Sequence, residues 1–322
     1  MKTYENASDI KVGAIGYGGA FNMGQKHIQG MVDAGMTPAA VCELDPARLE
    51  VAREDFPGIE TYQDLGEMLD QSDVDLLAII TPHNTHAPLA LQCLQAGRSV
   101  VCEKPLAITT DECDAMIAAA EENGAMLSTY HNRHWDGCIL QAVKKIVEEK
   151  AIGEVVRIQC RMGGYGPPRD WWRSSKSISG GILYDWGVHL LEYSLQLLPG
   201  EKMAEVTGFA HKGFWADQNP YGEDANEDEA QAIIRFESGK HLDLRITSLD
   251  CNPKPGRTEI TGTKGTYVME GGSYKIITPG EEEKNVEEGE NPDGEQWRFY
   301  QNVADYLTGK EDLVITGEWA RR

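Results

Sequence analysis

Over the first 130 residues, short apolar runs alternate with segments whose apolar positions recur every three or four residues. Lys11 to Ile15 reads as a strand, Met23 to Ala34 as a helix, Ala39 to Cys42 as a strand, and Pro46 to Asp55 as a helix opened by Asp45. Asp64 to Gln71 reads as helix, Val74 to Thr81 as a buried strand, and Pro88 to Ala96 as helix. Ser99 to Cys102 then reads as strand, Asp111 to Asn123 as helix and Met126 to Tyr130 as strand. Strands separated by helices need crossover connections, which predicts a parallel, doubly wound sheet.

The pattern changes after Asn132. A helix from Ile139 to Glu149 ends before Gly153. Strand-like stretches follow at Val155 to Cys160, Ala230 to Phe236, His241 to Ser248, Arg257 to Thr261 and Thr266 to Met269, with helices near Leu183 to Leu198 and Glu295 to Leu307. Few helices separate these strands, which predicts a mostly antiparallel open sheet. The expected organisation is α/β followed by α+β: a doubly wound parallel-sheet domain over 1–130 and a mostly antiparallel open-sheet domain over 131–322. Two acidic stretches, Asp217 to Glu229 and Glu281 to Glu290, read as solvated loops.

Composition narrows the function. A length of 322 residues with 41% hydrophobic positions suits two cores. The net charge of −22 opposes a phosphate backbone, so nucleic acid is excluded as a partner. No apolar run is long enough to span a membrane, and the polar start from Met1 to Ile10 lacks a leader pattern, so a cytoplasmic location is expected. Seven scattered cysteines include no C-x-x-C pair, which argues against a disulfide framework or zinc knuckle. The pairs His83 with His86 and His131 with His134 lack a completing ligand, so no metal is expected.

The candidate chemistry begins at Gly16-Tyr17-Gly18-Gly19, between a strand and a helix, where glycines let the backbone approach a diphosphate. The third glycine of a G-x-G-x-x-G would fall at Phe21. Gly24 takes that place if the loop carries a three-residue insertion. Glu43, ending the second strand, suits a ribose diol and repels a 2'-phosphate, which favours NAD over NADP. Lys104, in Glu103-Lys104-Pro105, leaves the carboxyl end of a parallel strand. Asp185 and His189, four apart on an expected helix, share one face and form a carboxylate–imidazole pair suited to general acid–base work.

Together these segments resemble the Gfo/Idh/MocA family, which includes glucose-fructose oxidoreductase and inositol dehydrogenase. The resemblance runs through Gly24-Gln-Lys-His27, Thr81-Pro82-His83-Asn84-Thr85-His86, Ala96 to Pro105, and Gly180-Gly181-Ile182-Leu183-Tyr184-Asp185-Trp186-Gly187-Val188-His189. Glu237-Ser238-Gly239 and Gly262-Thr263-Lys264-Gly265 extend it. It implies a dinucleotide-binding Rossmann domain over 1–130, a sheet domain for substrate and oligomerisation over 131–322, and Lys104, Asp185 and His189 as catalytic residues. Thr81, Pro82, His86, Glu103 and Lys104 would lie beside the cofactor with the glycine loop and Glu43. Three departures stand out: the insertion around Ala20 to Met23, Glu192 where aspartate is common, and an end at Arg322 short of the family's long final helix.

In the mechanism this resemblance implies, His189 accepts a hydroxyl proton as hydride leaves, Asp185 supports it, and Lys104 stabilises charge on the alcohol oxygen. Arg133, Tyr165, Trp172 and Arg173 belong to an aromatic and basic group suited to a sugar or sugar acid. The expected activity is NAD-dependent hydride transfer to or from a hydroxyl carbon of a sugar, polyol or sugar acid, by a homodimer or homotetramer. Redox-neutral glycoside cleavage at the same site stays open, as does a cofactor-binding sensor without turnover.

Overall fold

In the computed structural model, which describes residues 2–253 and 258–322, the chain divides into two units: Met1–His131 with Trp297–Arg322, and Asn132–Gln296. The first unit runs β1 (Lys11–Ile15), α1 (Met23–Asp33), β2 (Thr37–Cys42), α2 (Pro46–Asp55), β3 (Glu60–Tyr62), α3 (Leu65–Gln71) and β4 (Leu76–Ile79). It continues with α4 (His86–Gln95), β5 (Ser99–Cys102), α5 (Thr110–Glu122) and β6 (Leu127–Thr129). The six strands are all parallel, in the order β3-β2-β1-β4-β5-β6.

Local chemistry explains the element boundaries. Asp45 caps α2 by accepting from Ala47 N, with Pro46 at the first helical position, and Thr109 with Glu112 forms a capping box on α5. Strands β4 and β5 are buried on nearly every residue, as a sheet covered by helices on both faces requires. The three-residue β3 was not legible in the sequence, being too short to show a period.

The second unit contains α6 (Gly137–Ala142), which continues as a π-helical turn over Val143–Glu148, then β7 (Val155–Gly163), α7 (Lys176–Ser179) and α8 (Gly187–Gln196). Strands β8 (Met203–His211), β9 (Glu229–Phe236), β10 (His241–Thr247), β11 (Thr258–Gly262), β12 (Thr266–Met269), β13 (Ser273–Thr278) and β14 (Asn285–Glu290) follow. They make an eight-stranded sheet in the order β14-β13-β12-β11-β7-β10-β9-β8, antiparallel throughout except between β7 and β10. Of the strand expected over Arg257 to Thr261, Arg257 lies outside the described residues.

The expected second domain is corrected at its C-terminal end. Helix α9 (Arg298–Leu307) buries Phe299, Tyr300, Val303 and Leu307 in the first unit, and α10 (Gly317–Arg321) follows it there. Ser128 donates to Ile315 O at 2.7 Å, and Arg321 grips Asp114 through two nitrogens at 2.7 and 3.0 Å. Neither acidic stretch is simply a solvated loop. Asn285–Glu290 is an edge strand paired along β13, where its charges discourage further pairing. In the other stretch, Asp224 accepts from Ser177 N at 2.9 Å, and the 6%-exposed Asp228 accepts from Phe214 N at 2.8 Å.

Candidate active site

The cofactor candidates of the first unit leave the carboxyl ends of the parallel strands. Gly16 follows β1, Glu43 follows β2, Thr81 and Pro82 follow β4, and Glu103 and Lys104 follow β5. The order of strands reverses between β1 and β4, and ligands of such sheets bind in the crevice beyond the carboxyl ends there.

Gly16 has φ +96°, and a side chain on it would place Cβ 2.4 Å from Ile80 O. Gly24, in the first turn of α1, packs so tightly that a Cβ would lie 2.6 Å from Tyr17 Cδ2 and 2.9 Å from Gly16 O. The helix therefore abuts the turn through Gly24, despite the longer loop between them. Gly18 faces open space, whereas Gly19 faces the guanidinium of Arg48. This is a turn that a side chain would fill and a diphosphate could occupy, so it fits a dinucleotide.

Glu43 is held in place by two backbone donors, Tyr17 N at 2.6 Å and Asp45 N at 3.1 Å. Arg48 was missed in the sequence because it lies inside α2, away from the motif. Its Nε donates to Tyr17 O at 2.8 Å, which brings a positive charge to the glycine loop.

Lys104 is 9% exposed and precedes Pro105, and its backbone N–H donates to Glu103 Oε2 at 3.0 Å. Burial works to raise the Glu103 pKa, but the His27 hydrogen bond, the Lys104 charge and the Lys104 backbone N–H outweigh it and hold the carboxyl below the usual range. The expectation that His86 touches cofactor is corrected. It is fully buried, with Nδ1 2.8 Å from Pro105 O and Nε2 3.0 Å from Thr81 O, so it braces the loops after β4 and β5. Burial lowers its pKa and favours the neutral ring, in which only one nitrogen donates.

In the second unit, the two glycines before the Asp185–His189 segment both have positive φ, +87° at Gly180 and +134° at Gly181. Glu227 locks that turn: its carboxylate accepts from Ile182 N at 3.1 Å and pairs with Lys176. The helix expected from Leu183 is corrected. Ile182–Tyr184 is a 3-10 turn, Asp185 falls between it and α8, and His189 lies in α8, so the two do not share one continuous helix. Asp185 accepts from Arg173 Nη1 at 2.8 Å, and Arg173 lies over the rings of Trp171 and Trp172 at 4.6 and 5.1 Å.

The expected substrate group is spread through the unit. Arg133 donates to Asp136 at 2.9 Å and lies 4.8 Å from the Trp186 ring centre. Tyr165 packs its ring against Trp215 at 5.1 Å. Glu192 is buried and meets His134 Nδ1 at 2.5 Å.

Residues 10–131 match the NAD-binding Rossmann fold of the Gfo/Idh/MocA oxidoreductases, and residues 140–268 match the C-terminal domain of the same family. The chain belongs to the Gfo/Idh/MocA family. Among Gfo/Idh/MocA relatives, it is 31% identical to scyllo-inositol 2-dehydrogenase (NADP(+)) IolW of Bacillus subtilis, over 66% of this chain and 58% of that protein, less than two thirds of the relative's length. It is 29% identical to myo-inositol 2-dehydrogenase of Thermotoga maritima, over 80% of this chain and 74% of that one. An NAD-binding protein from Listeria innocua has the same architecture, with a TM-score of 0.79 at 27% identity over 97% of this chain and 90% of that one.

Among the described residues, no helix is long and apolar enough to cross a membrane.

Proposed function

We propose that this Gfo/Idh/MocA oxidoreductase is an NAD-dependent dehydrogenase or reductase that acts at a hydroxyl carbon of a sugar, polyol or sugar acid. The observation that carries the reading is the shared carboxyl end of the parallel strands, from which Gly16, Glu43, Thr81, Pro82 and Lys104 all leave. NAD, when bound, supplies the hydride exchange.

Gly16, Gly18, Gly19 and Gly24 would shape the diphosphate turn, and Arg48 adds a positive charge there. Glu43, fixed by Tyr17 N and Asp45 N, presents a carboxylate to a ribose diol, which supports NAD over NADP. Lys104 would donate to a substrate oxygen, and His189 would accept a hydroxyl proton. Asp185 would act together with Arg173, which bonds it, so Arg173 is assigned to holding Asp185 as much as to substrate.

The inositol dehydrogenases among the relatives support a polyol or sugar as substrate. A homodimer or homotetramer formed through the open sheet accords with exposed Phe209 and Ile233 on β8 and β9. The test is to incubate the protein with NAD and a panel of polyols, sugars and uronates, following reduced-nicotinamide absorbance and chromatographed products together. Absorbance growth with an oxidised product supports the proposal. Product without net absorbance change replaces it with a redox-neutral cleavage.

A further inference from the structure

Behind Lys104 lies a buried polar chain that the glycine loop and the strand ends do not explain. Tyr300 on α9 places its hydroxyl 2.5 Å from His27 Nδ1, and His27 Nε2 lies 3.1 Å from Glu103 Oε1. The other oxygen, Oε2, accepts the Lys104 backbone N–H at 3.0 Å. His27 is fully buried and Tyr300 is 3% exposed. We propose that Tyr300 and His27 are positioning residues that keep the Glu103 carboxylate ionised and aimed at Lys104, an inference that rests on Lys104 being catalytic.

The donors run in one consistent direction. An ionised Glu103 can only accept, so His27 donates from Nε2, and its Nδ1 then accepts from the Tyr300 hydroxyl. That tautomer follows from the network, since every atom in it then has a matched partner.

The packing around the chain is equally specific. The His27 ring lies 4.1 Å from that of Tyr130, which meets Phe299 edge-on at 4.9 Å. Gly30, one turn along α1 from His27, makes room for Tyr300: a Cβ there would lie 2.9 Å from Tyr300 Cδ2. Well-packed apolar groups would fill the same volume at least as stably as a buried polar chain. The polar chain therefore points to a task, and its end at Lys104 N identifies one.

The charged and titratable groups that act on Glu103, or on which it acts, are His27 of α1, Lys104 beside it, Cys102 of β5, His86 of α4, Tyr130 after β6 and Tyr300 of α9. His27 and Lys104 are the ones that favour the carboxylate, against its burial. Loss of the His27 donor removes one of the two and moves the Glu103 midpoint to higher pH.

The Lys104 backbone amide reports this directly. In full-length protein labelled with [15N]lysine, its NMR shift follows Glu103 ionisation without substrate or turnover, with Lys104→Arg identifying the signal. The midpoint is expected to rise by roughly one pH unit in His27→Ala, less in Tyr300→Phe, and to return toward wild type in His27→Gln, which keeps a donor. Tyr300→Phe keeps the ring and tests the chain even where His27→Ala does not fold. In turnover, Tyr300→Phe is expected to lower kcat about tenfold with the NAD KM held within about twofold, and to move the acidic limb of the pH profile upward.

An unchanged amide midpoint in the folded variants overturns the proposal. A shifted midpoint in a protein whose Lys104→Ala variant keeps full turnover supports the chain and overturns the catalytic reading of Lys104 instead.

Discussion

The Glu43 carboxylate accepts the Tyr17 backbone N–H at 2.6 Å, so the acid that follows β2 is fastened to the turn that follows β1. One side chain thereby fixes the glycine loop and, in the proposed cofactor site, would present its negative charge to the ribose diol. Hydrogen bonds to charged groups contribute about 1.5–3 kcal/mol, and about 1.4 kcal/mol is a tenfold change in affinity.

Glu43→Ala is accordingly expected to weaken NAD by tenfold or more and to raise the relative affinity for NADP, whose 2'-phosphate no longer meets a carboxylate. Dissociation constants for both dinucleotides, measured by fluorescence titration, check this. An unchanged NAD to NADP ratio argues against Glu43 as the discriminating residue.

Gly18 in the loop and Gly24 in the first turn of α1 separate binding from folding. A methyl on Gly24 would be forced to within 2.6 Å of Tyr17, so Gly24→Ala is expected to destabilise the protein by about 1–3 kcal/mol. Gly18 has open space around it, so Gly18→Ala is expected to leave the unfolding midpoint unchanged while weakening NAD. Denaturant unfolding beside cofactor titration reads both. Intact NAD affinity in Gly18→Ala would place the diphosphate elsewhere.

Much of this was legible in the sequence, for reasons that differ by element. Strands β9 and β10 bury alternate positions such as Ile234, Phe236, Leu242 and Leu244, and that period of two showed through. Strand β8 is exposed along almost its whole length and β14 is an acidic edge, so neither carries an apolar period. The motifs that carry the family resemblance are local in sequence and were legible there. Their supports were not, because Tyr300 lies 273 positions from His27 and Glu227 lies 45 from Ile182, inside a run of acids. Such partnerships are made by the fold alone.

Arg173 is a case where the side chain's shape matters. Its planar group lies over Trp171 and Trp172 while Nη1 bonds Asp185. Lysine keeps the charge but neither the stacking nor the forked geometry. Arg173→Lys is therefore expected to lower kcat about tenfold or more with little change in the NAD dissociation constant. Steady-state kinetics and cofactor titration check it, and wild-type kcat would show that Asp185 needs no such partner.

Glu227 ties acid stability to the Gly180–Gly181 turn. Burial raises its pKa, but the Lys176 partner and backbone donors lower it further, leaving it below the usual carboxylate value. A depressed carboxyl contributes stability that is present above the unfolded-state pKa of about 4.3 and is lost as pH falls through the folded value. Glu227→Gln is thus expected to melt lower than wild type at pH 7, with the gap closing below about pH 4. Thermal unfolding from pH 7 to pH 3.5 measures the gap, and a constant difference contradicts the assignment.

The most direct test of the central claim compares Lys104→Ala and His189→Ala with wild type in NAD-dependent oxidation of whichever polyol or sugar the panel identifies. NAD binding is measured on the same samples. The account predicts that turnover falls by at least about a thousandfold in each variant while NAD still binds. Turnover near the wild-type rate in either variant would contradict it.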